Sequence, residues 1–422
     1  MKKIFIIILL FNLPAYSQWF PLNSGTSSHL YSVCFVDAQT GYSCGVSAII
    51  KTTNGGANWT SINNLNYANL TSIQFINTLT GICTVRGGTN GGAILRTTNG
   101  GANWSVFDLN SNSQLTSVNF LNPSTAICTG SAGTILYSTN GGINWLTGLP
   151  IGNSVTFYAA DMINSTTGYC GGVNTIFAPL FAKTTDGGAN WAYSSFYVNG
   201  NEATIHGLFF RDEQNGIAVS VFSSLQQGGI SRTTNGGLQW THQVVNAALF
   251  GVDFPSVNIG YVCGIGVIYK TIDAGGTWTM QSTNTTELLR NISFTDNFTG
   301  YAVGSNGIIL KTTSGGVTFI NPISNEIPQS FSLSQNYPNP FNPSTKIRFA
   351  ISGTSVAQSF LSVYDVLGRE VATLVNESLK PGSYEVEWNA SNFPSGVYYY
   401  KLVVSDNTKN GLTDTKKMVL IK

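Results

Sequence analysis

Two carboxylates are the first candidates for chemistry. Asp161 and Asp253 sit in the middle of a short Val-x-Phe-like strand phrase that recurs along the chain, where other copies carry Cys34, Gln74, Asn119 and Ser293. Paired acids across a cavity can serve as general acid and base in glycoside hydrolysis; a merely polar lining is the competing reading. Three arginines, Arg86, Arg211 and Arg290, form a candidate anion-binding patch, because a planar guanidinium grips a carboxylate through two parallel hydrogen bonds. The rest of the inventory is thin. His29, His206 and His242 lack metal-ligand spacing and read as lone surface or turn residues. Cys-x-x-Cys, the Gly-x-Ser-x-Gly elbow and the phosphate-binding Gly-x-x-x-x-Gly-Lys loop are all missing. No cofactor and no metal are expected.

The scarcity is general. Lys and Arg number 20 and Asp and Glu 19 in 422 residues, 9% charged, against roughly 25% in an average soluble domain. A net charge of +1 argues against nucleic-acid binding, which needs clustered cations. A hydrophobic share of 42% excludes an acidic disordered tail. Few strong helix formers and much Asn, Thr, Ser and Gly point to β structure.

One phrase recurs with its place fixed by an aromatic residue. It reads Asn54-Gly55-Gly56 before Trp59, and returns at Asn99 with Trp104, Asn140 with Trp145, Asp186 with Trp191, Asn235 with Trp240 and Asp273 with Trp278. A worn seventh copy, Ser314-Gly315-Gly316, ends at Phe319. Each copy holds a Val-x-Phe strand, a turn such as Thr40-Gly41-Tyr42, a strand with a small Cys, Ala or Val, a third strand, and the Gly-Gly turn into a fourth. Four short strands per repeat predict an all-β, seven-bladed β-propeller over residues 18–325. Gln18-Trp19-Phe20 reads as a spare Trp strand crossing to the last blade. Lys51, Arg96, Lys183, Arg232, Lys270 and Lys311 share one repeat position and read as solvated strand ends.

Residues 1–17 read as a signal peptide: Lys2 and Lys3, an apolar run too short to span a bilayer, then Ala15-Tyr16-Ser17, with cleavage expected near Ser17-Gln18. No other apolar run reaches membrane-spanning length, so an integral membrane protein is not expected. Cys44, Cys83, Cys128, Cys170 and Cys263 read as small buried strand positions, with a Cys34–Cys44 bridge across one hairpin as the sharper alternative.

The phrase Thr271-Ile272-Asp273-Ala274-Gly275-Gly276-Thr277-Trp278 resembles the Asp-box of the sialidase-like (BNR repeat) superfamily, and the whole repeat block resembles the propellers of the photosystem II assembly and stability factor family. The resemblance implies that the boxes are structural turns on the blade edge, away from any active centre. Residues 326–422 are richer in charge, and Phe331 to Thr345, with Val363-Tyr364-Asp365-Val366-Leu367-Gly368-Arg369 and the closing Lys416-Lys417-Met418-Val419, resemble the type A C-terminal sorting domain of the type IX secretion system, found in Bacteroidetes and relatives. Alternating strands and Pro-Gly turns suggest a small immunoglobulin-like sandwich of about seven strands. The resemblance implies an export address read by the secretion machinery, with Lys416, Lys417 and Val419 in the sorting signal, and a secreted or surface-attached product. The expected function is a non-catalytic propeller that binds a protein or glycan, or serves in adhesion or assembly; the alternative is a secreted, sialidase-like or other Asp-box glycoside hydrolase.

Overall fold

The computed structural model describes residues 19–422 apart from 63–66, 88–90, 110–112, 149–154, 176–177, 224–225, 314, 316–320, 325–326, 354–356, 391–392 and 406–411. The expected signal peptide and Phe319 lie outside the described residues. The chain forms two compact units, Trp19–Gly316 and Val317–Lys422.

The first unit holds seven four-stranded antiparallel sheets. In the first blade the strands are Leu30–Phe35, Gly41–Gly45, Ala48–Thr52 and Thr60–Ser61, from inside to outside. Gly41–Gly45 is buried along its whole length, because both of its faces pack within the ring of blades, whereas Thr60–Ser61 is exposed. The inner strands touch in sequence, and Leu289–Phe294 of the seventh blade meets Leu30–Phe35 of the first.

The recurring turn is held by one hydroxyl and one carbonyl or carboxylate oxygen. Thr52 Oγ1 donates to Asn54 Oδ1 at 3.0 Å and accepts Gly56 N–H at 2.9 Å, while Asn54 Oδ1 accepts Asn58 N–H at 2.9 Å. The same three bonds form around Asn99, Asn140, Asp186, Asn235 and Asp273. Gly55 and Gly56 take φ of +64° and +83°, a region that L side chains avoid. A Cβ on Gly56 would also strike Leu22 and Tyr301.

The turn is also where blades join. The basic residues at the shared repeat position are not solvated strand ends. Lys51 Nζ donates to the Gly100 carbonyl (3.2 Å), Arg96 Nε to Gly141 (2.8 Å), Arg232 Nε to Ala274 (3.1 Å), Lys270 Nζ to Gly315 (2.7 Å) and Lys311 Nζ to Gly55 (2.7 Å). Each thus reaches the turn of the next blade, and the seventh reaches the first. Turn carbonyls crowded into a tight bend have spare acceptor capacity, so a cation satisfies them more strongly than water would. Lys51, Lys183, Lys270 and Lys311 also lie 5.1–5.5 Å from the ring centroids of Tyr42, Tyr169, Tyr261 and Tyr301. Those tyrosines stack on the Phe of the following blade, as Tyr42 does on Phe75 at 3.5 Å and Tyr301 on Phe35 at 3.7 Å. The box Trp then meets that Phe edge-on: Trp104 on Phe75 at 6.0 Å and Trp59 on Phe35 at 5.9 Å.

In the seventh blade Trp19 takes the place of the box Trp. Phe20–Leu22 completes the sheet by pairing with Ile309–Thr312, Phe20 opposite Lys311. Trp19 is fully buried and meets Phe294 edge-on at 5.7 Å. The expected crossing of the N-terminal strand is therefore present.

All six cysteines are free. Register explains why Cys34 and Cys44 do not pair: Cys34 faces Tyr42 across the hairpin, and Cys44 faces Ser32.

The second unit packs two four-stranded sheets around a core that includes Phe349, Leu361, Trp388 and Tyr400. Its described residues form eight strands, against the roughly seven expected. The extra one, Asn321–Ser324, falls at the end of the stretch 18–325 that the sequence reading gave to the propeller, and it pairs with Gly382–Asn389. The last strand, Leu412–Leu420, pairs with Gly396–Ser405 and buries Met418 and Leu420. Its outer edge is covered by the Pro-rich opening: Asn339 Oδ1 accepts Val419 N–H at 2.9 Å, and Phe341 N–H donates to the Val419 carbonyl at 2.9 Å.

Trp19→Ala should destabilise the propeller by about 3–5 kcal/mol, the usual result of emptying a buried Trp site. Chemical denaturation followed by fluorescence of the remaining tryptophans measures it, and an unchanged midpoint would show that closure does not depend on this ring.

Candidate functional site

The inner strands surround a central channel of about 660 Å³. As innermost strands they have an edge with no further strand beyond it, so their N–H groups need other partners. Side chains of the preceding blade supply them at two levels. Ser32 accepts Ile73 N–H (3.2 Å), Ser72 accepts Val118 N–H (3.3 Å) and Asn291 accepts Val33 N–H (3.0 Å). One level along, Cys34 accepts Phe75 N–H (3.4 Å), Asp161 accepts Phe210 N–H (2.7 Å), Asp253 accepts Phe294 N–H (2.7 Å), and Gln74 accepts Phe120 N–H.

This gives Asp161 and Asp253 a definite placement. Both line the channel, but each has one carboxylate oxygen engaged by the next blade's backbone, the task that Cys34 and Gln74 perform elsewhere. Burial pushes Asp161 up to about 6 and Asp253 up to about 7, with the backbone hydrogen bonds pulling the other way.

The three arginines do not come together. Arg86 and Arg290 line the channel, whereas Arg211 lies outside it, where it pairs with Asp212 at 3.2 Å and donates to the Val257 carbonyl at 3.2 Å. Arg86 Nε donates to Gln114 Oε1 at 2.6 Å.

A ring that sequence reasoning missed as a ring, although it singled out Arg290 and His206, lies two positions before the first residue of each Val-x-Phe phrase. Every inner strand carries a register shift at one point, between Leu30 and Ser32, Leu70 and Ser72, Leu115 and Ser117, Phe157 and Ala159, Ile205 and Gly207, Leu249 and Gly251, and Leu289 and Asn291. The skipped residue is a β-bulge, which re-aims its side chain. The seven bulge residues are Tyr31, Thr71, Thr116, Tyr158, His206, Phe250 and Arg290, and all of them line the channel. Thr71 and Thr116 donate to the Leu115 and Phe157 carbonyls of the next blade.

The other five form an arc. Tyr158 and His206 are 4.6 Å apart between ring centroids, and His206 and Phe250 are 5.0 Å apart. The Arg290 guanidinium lies 5.6 Å from the Phe250 centroid and 5.1 Å from that of Tyr31. His206, expected as a lone surface or turn residue, is thus a channel residue; burial and then the charge of Arg290 push its pKa down to about 4, so it is neutral at pH 7. The other two histidines stand apart. His29 Nδ1 accepts Asn306 N–H at 3.1 Å, and His242 lies 2.8 Å from Ser231 Oγ. Only alignment of all seven copies on the bulge, rather than on the Trp, would have shown this ring in the sequence.

The raised acids set a pH dependence. A folded-state carboxyl above its unfolded value of 3.8 binds a proton that the unfolded chain has lost, so its contribution falls as pH rises from about 4 through 7. Asp253→Asn removes that loss while keeping an acceptor oxygen. Thermal melts at pH 5 and pH 8 should show the Asn variant gaining on the parent at the higher pH; a pH-independent difference would contradict the placement of Asp253.

Comparison with known proteins agrees with this architecture. Residues 12–150 match the family described as photosynthesis system II assembly factor YCF48, and residues 335–421 match the secretion system C-terminal sorting domain. A photosystem II assembly lipoprotein Ycf48 of Synechococcus sp. (strain CC9902) is 26% identical over 151 residues, 33% of this chain and 42% of that protein, so less than half of the relative's length is matched. Among solved structures, YCF48 bound to D1 peptide superposes with a TM-score of 0.56 at 18% identity, over 71% of this chain and 96% of that one. The GH74 xyloglucanase from Xanthomonas campestris gives 0.54 at 11% identity, over 92% and 80%. Identities this low speak for the fold. The chain therefore joins a seven-bladed propeller, YCF48-like in its first three blades, to a secretion system C-terminal sorting domain.

Proposed function

We propose that this chain is an extracellular binding protein, exported by type IX secretion, whose propeller takes its ligand at the channel end ringed by the bulge residues. The observation that carries the reading is the ring itself. Seven bulges at one repeat position place aromatic and cationic side chains around a single cavity, beside Arg86. Binding sites of this kind combine apolar faces with a few placed polar groups.

The hydrolase reading keeps one supporting observation: two carboxyls with raised pKa values line one channel, as the tuned acids of glycosidases share one cleft. Their bonds to Phe210 and Phe294 N–H favour the structural role. A broad panel of fluorogenic glycosides should give no turnover; turnover lost in Asp161→Asn or Asp253→Asn would replace binding by catalysis. YCF48 in its complex with a D1 peptide makes a peptide the other ligand class to test here, with immobilised peptide and glycan arrays probed by the full chain.

Export is read from the C-terminal domain, with surface attachment or release as its outcome. Removing Lys416 to Lys422 would also remove Met418 and Leu420 from the core, so point changes are the cleaner test. Lys417 is exposed and Lys416 half-buried on the terminal strand, opposite Tyr399 and Tyr400. The double substitution Lys416→Ala, Lys417→Ala should leave the sandwich folded yet retain the protein in the periplasm; normal display would place the address elsewhere in the domain.

A further inference from the structure

Arg290 is an uncompensated cation. Among the described residues its guanidinium makes no hydrogen bond or ion pair, its Nε is closed off from solvent, and its neighbours are the faces of Tyr31 and Phe250. Burial holds its pKa below the ordinary value, yet an arginine stays charged in proteins. A half-buried charge without a partner is costly, and the two carboxyls that line the same channel, Asp161 and Asp253, are engaged by backbone N–H groups. The second cation, Arg86, stands at the same cavity. Two cations thus face one cavity, which suits it to an anionic group.

The surroundings narrow what carries that anion. An extended peptide is usually held by main-chain hydrogen bonds to an open strand edge. Here much of the inner edge is already spent, because Ser32, Ser72, Asp161, Asp253 and Asn291 cap N–H groups of the next blade. What faces the cavity instead is a set of flat rings, Tyr158, Phe250 and Tyr31, with a neutral imidazole between two of them. The hydroxyls of Tyr31 and Tyr158 have no hydrogen-bond partner among the described residues. Ring faces for C–H surfaces, hydroxyls for hydroxyls and one planar guanidinium for one planar anion together describe an acidic sugar.

Resting on the binding reading given above, we propose that the bulge ring binds a hexuronic acid unit of a polysaccharide, its carboxylate on Arg290 and its ring against the Tyr158–Phe250 arc. Arg86 supplies the second positive charge at the cavity. No bond is made or broken.

The test is calorimetric titration of the full chain with trigalacturonate, its methyl ester, maltotriose and an acidic pentapeptide with a free C-terminus. Trigalacturonate should bind, and the ester and maltotriose should bind at least about tenfold more weakly, the share expected of a charge-assisted pair. Arg290→Met should cause a similar loss without lowering thermal stability, since it removes an unpaired charge. Phe250→Ala should weaken binding further, and Arg211→Met, outside the channel, should change nothing. Equal affinity for acid and ester, or full binding by a folded Arg290→Met variant, overturns the assignment. Tighter binding of the pentapeptide overturns the sugar class. If trigalacturonate fails while another arrayed ligand binds and is lost on Tyr31→Ala, the uronate proposal falls and the channel remains the binding site; if no arrayed ligand binds, both fall.

Discussion

The propeller depends on the handover between a basic side chain in one blade and a turn carbonyl in the next. A Gly-Gly turn exposes backbone oxygens that its own sheet cannot use, and a blade buried on both faces cannot leave them to water. The cation supplied by the neighbour answers both needs, and the Tyr beneath it fixes the angle at which the next Phe can stack. Each blade is therefore completed by another blade. A single copy has no reason to be stable, and the ring must close for the first turn to receive Lys311.

This explains the unusual composition. Much of the propeller's small stock of charge is spent on internal joints: Lys51, Arg96, Arg232, Lys270 and Lys311 are bonded to turns, and Asp161 and Asp253 to backbone. The sequence made the repeat, its count, its strand grammar and the crossing of Trp19 legible, because Trp and Gly-Gly stand at fixed spacing. It misread the basic positions as solvated, since a Lys at a strand end looks the same whether it meets water or a carbonyl in the next repeat. Boundaries suffered similarly: Asn321–Ser324 has the Pro and Ser of a linker, and only its partner strand makes it part of the sandwich.

The candidate site was half legible. Asp161, Asp253, Arg86 and Arg290 were singled out as chemical residue types, but their partners were not. The ring of Tyr31, Tyr158, His206 and Phe250 went unseen because the bulge breaks the alternation by which strand faces are read. Seven residues of different type at one repeat position look like drift in a sequence. In the channel, the same variation is what distinguishes one side of the ring from the other, with hydroxyls in the second and third blades and rings and a cation in the rest.

Closure by Phe20–Leu22 has a kinetic consequence. Its partner strand, Ile309–Thr312, lies at the far end of the propeller, so the latch is the most non-local contact of the unit. Bringing such distant ends together costs about 5 kcal/mol of chain entropy for a free loop of this length, a cost that falls once intervening blades have stacked. Topology of this kind folds slowly. A chain delivered from its N-terminus holds an unlatched, edge-exposed ring until the seventh blade arrives, and the sorting domain follows directly behind that blade. Burial of Trp19 therefore comes last: only a chain that extends through residue 312 can hide that ring.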